Sequence, residues 1–390
     1  MFAVLPNTRK VLSHLILLFS LILVVACQPV PNSGGQSINP SGPVPVALLV
    51  PHGSANASEV ALAQDLENAA RMAVSDLQGV QIDLRVYATA GQAAQAQAAA
   101  VKAVSEGAKI IVGPLHAESA NAVAVAVAGK NINVLAFSNN ATIAGGNLFI
   151  LGNTFENTAR RLTHYAARQG KTSIVTVHSN NLAGQLGQQA ISRAAASAGS
   201  TIVANVGYDF SQQGVVAAVP QISSAVRSGN ADTIFLTANT AGALPLFSQM
   251  LPENGMDPET VQYIGLTRWD KPAQTLDLPG VQGGWFAMPD PQKDARFTSR
   301  FQTAYGKAPH AIAGLAYDGI AAIGALARTG ERDALTRASL TQPAGYQGVG
   351  GVFRLTPNGT NERGLAIATV REKKIEIIDP APQSFGGSGS

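Results

Sequence analysis

Residues Ile110–Thr142 read IIVGPLHAESANAVAVAVAGKNINVLAFSNNAT. The stretch changes grammar three times. "KIIVGP", Lys109 to Pro114, is a short run of branched apolar residues stopped by Gly-Pro. Ser119 to Ala128 is rich in small residues at helical spacing, and Asn133 to Phe137 is again an apolar run. Ser138-Asn139-Asn140-Ala141-Thr142 then turns polar. Apolar runs of four to six residues, bounded by turn formers and joined through a helix, are the signature of parallel strands buried on both faces.

The same alternation extends in both directions. Upstream, "VALLV" (Val46–Val50) precedes a Pro-His-Gly turn, and Ser58 opens an amphipathic segment from Glu59 to Leu77. Val80–Tyr87 alternates as a strand, and Gln92–Ser105 is an alanine-rich helical segment. After Leu148–Leu151 the pattern restarts. Helical segments at 157–169, 184–198, 215–227 and 243–250 alternate with strands at 173–177, 201–206, 233–236 and 261–264. A long helix over Ala311–Arg328 comes next, then strands at 351–355, 364–370 and 374–378. The fold class is α/β: two doubly wound, Rossmann-like lobes joined by a hinge. Ligands of such sheets sit outside the carboxyl ends of the strands. The residues just past those ends are therefore the site candidates: His52, Gly53 and Ser54; His116, Ala117 and Ser119; Ser138, Asn139, Asn140 and Thr142; Asn180, Asn181 and Ala183; Thr237 and Asn239; Arg268 and Trp269.

The amino-terminal end is of another kind. Arg9 and Lys10 precede an apolar run, Val11–Val25, that is shorter than a membrane-spanning helix requires. Residues 1–26 read as a secretory signal peptide. Val24-Val25-Ala26-Cys27 resembles a bacterial lipobox, which implies cleavage before Cys27 and a lipid on the only cysteine of the chain. Gln28, in place of aspartate, points to the outer membrane in a Gram-negative source. The Pro/Gly/Ser-rich residues up to Pro45 make 27–45 a lipidated cysteine and flexible tether. Residues 380–390 read as a disordered tail. The mature chain is expected on the periplasmic face of the cell envelope.

Composition narrows the function. The 27 basic residues lose Arg9 and Lys10 with the leader, leaving 25 against 24 acidic side chains, a net of one positive charge. No basic stripe interleaved with aromatics points to nucleic acid. There is no HExxH, phosphate-binding loop, GxSxG or cysteine pair. No catalytic residue, cofactor or metal site is expected, and the chain does not read as an enzyme. His52, His116 and His178 each stand just past a strand end, but no local pair has ligand spacing. Asp318 reads as a helix or hinge contact.

"IIVGPLHAESANAVAVAVAGKNINVLAFSNNAT" and "AGLAYDGIAAIGALA" (Ala313–Ala327) resemble the leucine/isoleucine/valine-binding-protein family, of type I periplasmic-binding fold. The resemblance spans about 46–379. It implies one lobe from 46–152 plus 284–345 and another from 153–283 plus 346–379. In amino-acid binders of that family a serine three residues past the Gly-Pro proline holds the ligand carboxylate; here that position is Ala117. An aromatic residue precedes the glycine after the second lobe's first strand; here Ala183 precedes Gly184. No acid for the ligand amine stands near Val261–Gly265, where Arg268 and Trp269 come instead. The resemblance therefore implies that leucine, isoleucine and valine lack their usual contacts. "GPLHAES" and "AGGNLFILGNTFENTARRL" (Ala144–Leu162) are similar to small lipoproteins known as penicillin-binding-protein activators. The leading expectation is a regulator of peptidoglycan synthesis with a synthase as partner. The alternative is the substrate-binding receptor of an ABC importer, with a permease as partner and an amino acid or other small polar solute as ligand.

Overall fold

A computed structural model describes residues 34–386. The signal peptide, Cys27 and the last four residues lie outside the described residues.

The first sheet has five parallel strands. β1 (Val44–Val50) leads through α1 (Ala57–Asp76) to β2 (Ile82–Ala88), and α2 (Ala93–Ser105) leads to β3 (Ile110–Val112). α3 (Ala117–Ala128), β4 (Asn133–Ala136) and β5 (Leu148–Ile150) complete it, in the order β2-β1-β3-β4-β5. "VALLV" is continuously apolar because each face of β1 meets a core. Val46, Leu48 and Val50 pack beside Leu62 and Leu66 of α1. Ala47 and Leu49 pack beside Ala96, Ala100 and Ala103 of α2. Strand side chains alternate between faces, so a sheet covered on both sides needs an unbroken apolar run. β3 ends at Gly113, which has φ +90° and lies against the Leu49 carbonyl oxygen, where a Cβ would fall. Only glycine fits that turn.

The second lobe opens where Thr154 caps α4 (Phe155–Arg168). Next come β6 (Ser173–Ser179), α5 (Leu182–Ser197), β7 (Thr201–Tyr208), α6 (Gln212–Gly229), β8 (Thr233–Leu236), α7 (Leu244–Glu253), β9 (Gln262–Gly265) and β10 (Trp285–Met288). The chain returns to the first lobe with α8 (Pro291–Tyr305), α9 (Gly314–Ala327) and the short α10 (Arg337–Leu340). A small antiparallel sheet is made of β11 (Tyr346–Gly348), β12 (Gly351–Leu355) and β13 (Asn361–Arg363). β14 (Ala366–Arg371) and β15 (Lys374–Asp379) close the second sheet, ordered β15-β14-β10-β9-β8-β6-β7.

Two boundaries fall elsewhere than the sequence places them. "WFAM", at 285–288, pairs with β9 and β14, so the second passage between lobes comes after Met288 instead of residue 283. Tyr346, Phe353 and Leu355 sit in the first lobe's core, so the third passage comes near Gly364, not after 345. The tether and tail are also shorter than composition suggests. Ile38 is buried in the first lobe's core and its N–H donates to the Arg332 carbonyl. The Gly34 carbonyl accepts from the Arg337 N–H and from Asn133 Nδ2. At the other end Ala381 is buried, Gln383 bonds Asp290 at 3.0 Å, and Arg354 lies 4.6 Å over the Phe385 ring. A single well-placed apolar residue holds each segment down despite its glycines and prolines.

Candidate functional site

The carboxyl ends of the parallel strands of both sheets face one cleft. On the side nearest the passages between lobes it deepens into a cavity of about 640 Å³. From the first sheet come His116, Ala117, Ser138, Asn139 and Asn140, with Gly152 and Asn153 where the chain leaves for the second lobe. From the second lobe come Arg268, Lys271, Ala287 and Met288. α8 supplies Asp294 and Phe297, and the entry to α9 supplies His310, Ile312 and Leu315. The walls are largely apolar with a few polar groups, the usual makeup of a small-molecule site.

Six expected residues thus line the cavity: His116, Ala117, Ser138, Asn139, Asn140 and Arg268. The others are occupied or lie elsewhere. His52 Nε2 bonds Glu67 at 2.8 Å, Ser54 donates to Glu59 at 2.8 Å, and His116 pairs with the same Glu59 at 3.2 Å. Gly53, at φ +80°, makes the turn between them. Of this group, packed along α1, only His116 reaches the cavity; His52, Gly53 and Ser54 lie outside it. Asn140 Oδ1 accepts from both the N–H and the hydroxyl of Thr142, capping a short 3-10 turn. Asn180 bonds Asp209, and Asn181 caps α5 through the Gly184 N–H. Ala183 and Asn239 are exposed at the strand ends of the second lobe. Thr237 Oγ1 is buried without a partner.

Ser119 and Trp269 are corrections. Ser119 is 2% exposed: two positions past Ala117 a helix turns its side chain into the packing. Trp269 is fully buried in the second lobe's core. Gly265 and Gly284 leave the slot it fills, since a Cβ at either would collide with its ring. Its Nε1–H has no partner. His52, His116 and His178 engage separate acceptors, Glu67, Glu59 and the Ser179 carbonyl. Among the described residues no group of three or more His, Cys, Asp or Glu is placed to hold a metal. No helix among them is long and apolar enough to cross a membrane.

Sequence reasoning missed the most informative side chains. Arg268 is neutralised by Asp270, to which it donates twice. Lys271 and Asp294 also face the cavity, and neither side chain has a hydrogen-bond or ion-pair partner among the described residues. One belongs to the second lobe and the other to α8 of the first. They stand in a loop and a helix outside the strand ends of the repeating pattern, so position gave no signal.

The back of the cavity is the hinge. Arg363 donates to Asp318 Oδ2 at 3.0 Å and to the Leu151 carbonyl at 3.0 and 2.6 Å, and it lies 5.0 Å over the Phe353 ring. Asp318 is fully enclosed. Burial pushes its carboxyl above the usual range, while Arg363 and the Val349 N–H draw it back without cancelling the rise. Asn361 Nδ2 donates to the Ile150 and Gly152 carbonyls at 2.8 Å each, and its Oδ1 accepts from Asn157 at 2.8 Å. The first and third passages between lobes are thus bonded to each other. The assembly offers apolar contact, amides and opposite charges from two lobes.

A family model described as "Periplasmic binding protein" matches residues 43–374. No curated protein matches the sequence. Among solved structures, the chain is similar to a candidate branched-chain amino acid ABC transporter from Rhodospirillum rubrum, at 20% identity and a TM-score of 0.74, over 86% of this chain and 100% of that one. It is similar to a branched-chain amino acid ABC transporter periplasmic ligand-binding protein from Burkholderia xenovorans, at 17% identity and a TM-score of 0.66, over 88% and 97%. An ABC transporter substrate-binding protein from Desulfitobacterium hafniense, in complex with Leu, matches at 19% identity and a TM-score of 0.63, over 86% and 100%. At these identities the likeness is one of fold.

Proposed function

The chain belongs to the periplasmic binding protein family, and on that premise we propose that it is the substrate-binding receptor of an ABC importer, taking an amino acid or another small polar solute. The observation that carries this is the cavity with Lys271 on one lobe, Asp294 on the other and an apolar wall between them. A solute bearing both an acidic and a basic group meets a counter-charge on each lobe. Touching both lobes at once, it binds the closed arrangement better than the open one. That difference in affinity is what closes a two-lobed receptor.

The regulator of peptidoglycan synthesis, preferred from sequence, rested on the missing hydroxyl at Ala117 and missing ring at Ala183. Lys271 and Asp294 supply polar contacts from other positions, and the relatives' descriptions support the importer, so the order of the two readings is reversed. Reach bears on the choice of membrane. Gly34 is already packed, so only seven residue steps separate Cys27 from the folded body, at most about 25 Å when extended. A lipid on Cys27 therefore keeps the receptor close to the membrane that holds it. We place it beside its permease, and the outer-membrane assignment suggested by Gln28 does not go with this function.

Calorimetric titration with a panel of amino acids and small carboxylates tests the reading. At least one compound is expected to bind in the micromolar range, and Lys271→Met and Asp294→Asn are each expected to weaken it about ten-fold or more, the loss of one charge-assisted hydrogen bond. A panel with no binder, together with normal solute uptake in a deletion strain, overturns it.

A further inference from the structure

A second cavity, of about 510 Å³, lies between α4, β13 and the carboxyl-terminal segment. Its chemistry differs from that of the cleft. Arg160, His164 and Arg168 recur every four residues on α4, and so form one stripe of its surface. Glu156, at the head of the stripe, pairs instead with Arg193 at 2.6 Å.

The charges facing the cavity do not balance. Arg160, Arg161, Arg168 and Arg354 face two carboxylates, Glu362 and Asp379, an excess of two positive charges. Arg363, at the inner end, is already paired with Asp318. Arg161 is fully committed: it donates to the Leu365 carbonyl, to Asp379 and to the Pro380 carbonyl, and so fastens the carboxyl-terminal segment. Arg160 and Arg168 each give one hydrogen bond, to Glu362 and Asp379, and are 46% and 51% exposed. Their remaining N–H groups are free for a ligand. Glu362 holds both Arg160 and Arg354, so their spacing is set in advance. The field of the stripe is felt at His164. Burial and then Arg160 and Arg168 hold its imidazole below the usual value.

We propose that this cavity is an anion site that takes a phosphate group, on a free monoester or on a lipid headgroup. A phosphate monoester carries close to two negative charges at neutral pH, which matches the excess, and a single carboxylate would leave one positive charge uncancelled. Guanidinium forks fit phosphate oxygens two at a time. Pro380, Pro382 and Phe385 form an apolar rim for the rest of the ligand. The site shares only Arg363 with the cleft's cavity, and the proposal stands whether or not the importer reading does.

The test uses the whole folded chain, with inorganic phosphate, glycerol phosphate, and vesicles of phosphatidylcholine with or without phosphatidic acid. Proton NMR tracks the titration midpoint of His164, and calorimetry measures affinity. Phosphate is expected to raise the midpoint by neutralising the neighbouring arginines. Arg160→Gln with Arg168→Gln is expected to weaken glycerol phosphate about ten-fold or more, and Arg160→Lys with Arg168→Lys by less, because the charge stays and the fork is lost. Binding of the free phosphates alone identifies a soluble ligand; added retention on phosphatidic acid vesicles identifies a headgroup. The proposal falls if chloride or sulfate at equal ionic strength moves His164 as far as phosphate does. It also falls if the glutamine pair leaves affinity unchanged while circular dichroism shows the fold intact.

Discussion

Replacing Arg363 by Met removes one end of a buried ion pair and leaves the other in place. The side chains of Arg363 and Asp318 are 9% and 2% exposed, so neither charge has water to fall back on. Breaking such a pair from one side costs about 4 kcal/mol, or roughly a thousand-fold in the folding equilibrium. The Leu151 carbonyl loses two donors in the same substitution. The cost must also depend on pH, with a definite sign. Asp318 is held above its unfolded value by burial, and Arg363 is what opposes that rise. Without Arg363 the folded value climbs further. A carboxyl raised in the folded state favours folding at low pH and opposes it as pH rises from the unfolded value through the folded one. Urea unfolding monitored by circular dichroism should therefore show a loss of about 4 kcal/mol near pH 8 and a smaller loss near pH 5, where the orphaned carboxyl takes a proton. Asp318→Asn removes the titrating carboxyl, so its cost should not grow toward pH 8 as that of Arg363→Met does. A loss below about 1 kcal/mol near pH 8, or a gap that widens on acidification, refutes the buried-pair reasoning.

Asn361→Ala strips the bonds to Ile150, Gly152 and Asn157, and should lower stability by about 3 kcal/mol in thermal unfolding; a loss within error would mean that water replaces the amide at no cost. Gly284→Ala drives a Cβ into the Trp269 ring, so it should cost about 2 kcal/mol and alter tryptophan emission, and an unchanged spectrum would show that the slot is slack. Cys27→Ala should abolish labelling by a fatty-acid probe; labelling that persists sinks the anchor.

The fold was legible because burial on both faces leaves a strong mark. "IIV", "TIFL" and "VALLV" are unbroken apolar runs, and the helices between them keep their own period. The front of the cleft was legible for a related reason: residues just past the carboxyl end of a parallel strand face it, and His116, Ser138 and Asn139 do. The hinge was not. "NER", at 361–363, is a three-residue polar strand, and nothing local says that its asparagine reaches 211 residues back to Ile150. Trp269 misled because a large aromatic beside a cleft reads as a wall, whereas the glycines at 265 and 284 open a hole inside. Ile38 shows the limit of composition: one buried side chain outweighs the glycines and prolines on either side of it.

The interleaving of the two lobes also dictates when the chain can fold as it is made. When residue 290 leaves the ribosome, the first lobe still lacks α8, α9 and β12, whose Phe301, Ile320, Ile323 and Phe353 fill its core. The second sheet still lacks β14, the strand between β10 and the edge strand β15. Neither lobe can close its interior until about the last tenth of the sequence has been synthesised, and contacts of such long range form slowly. A nascent chain of this kind has no completed core through most of translation, so its apolar strands stay exposed until its last segments arrive.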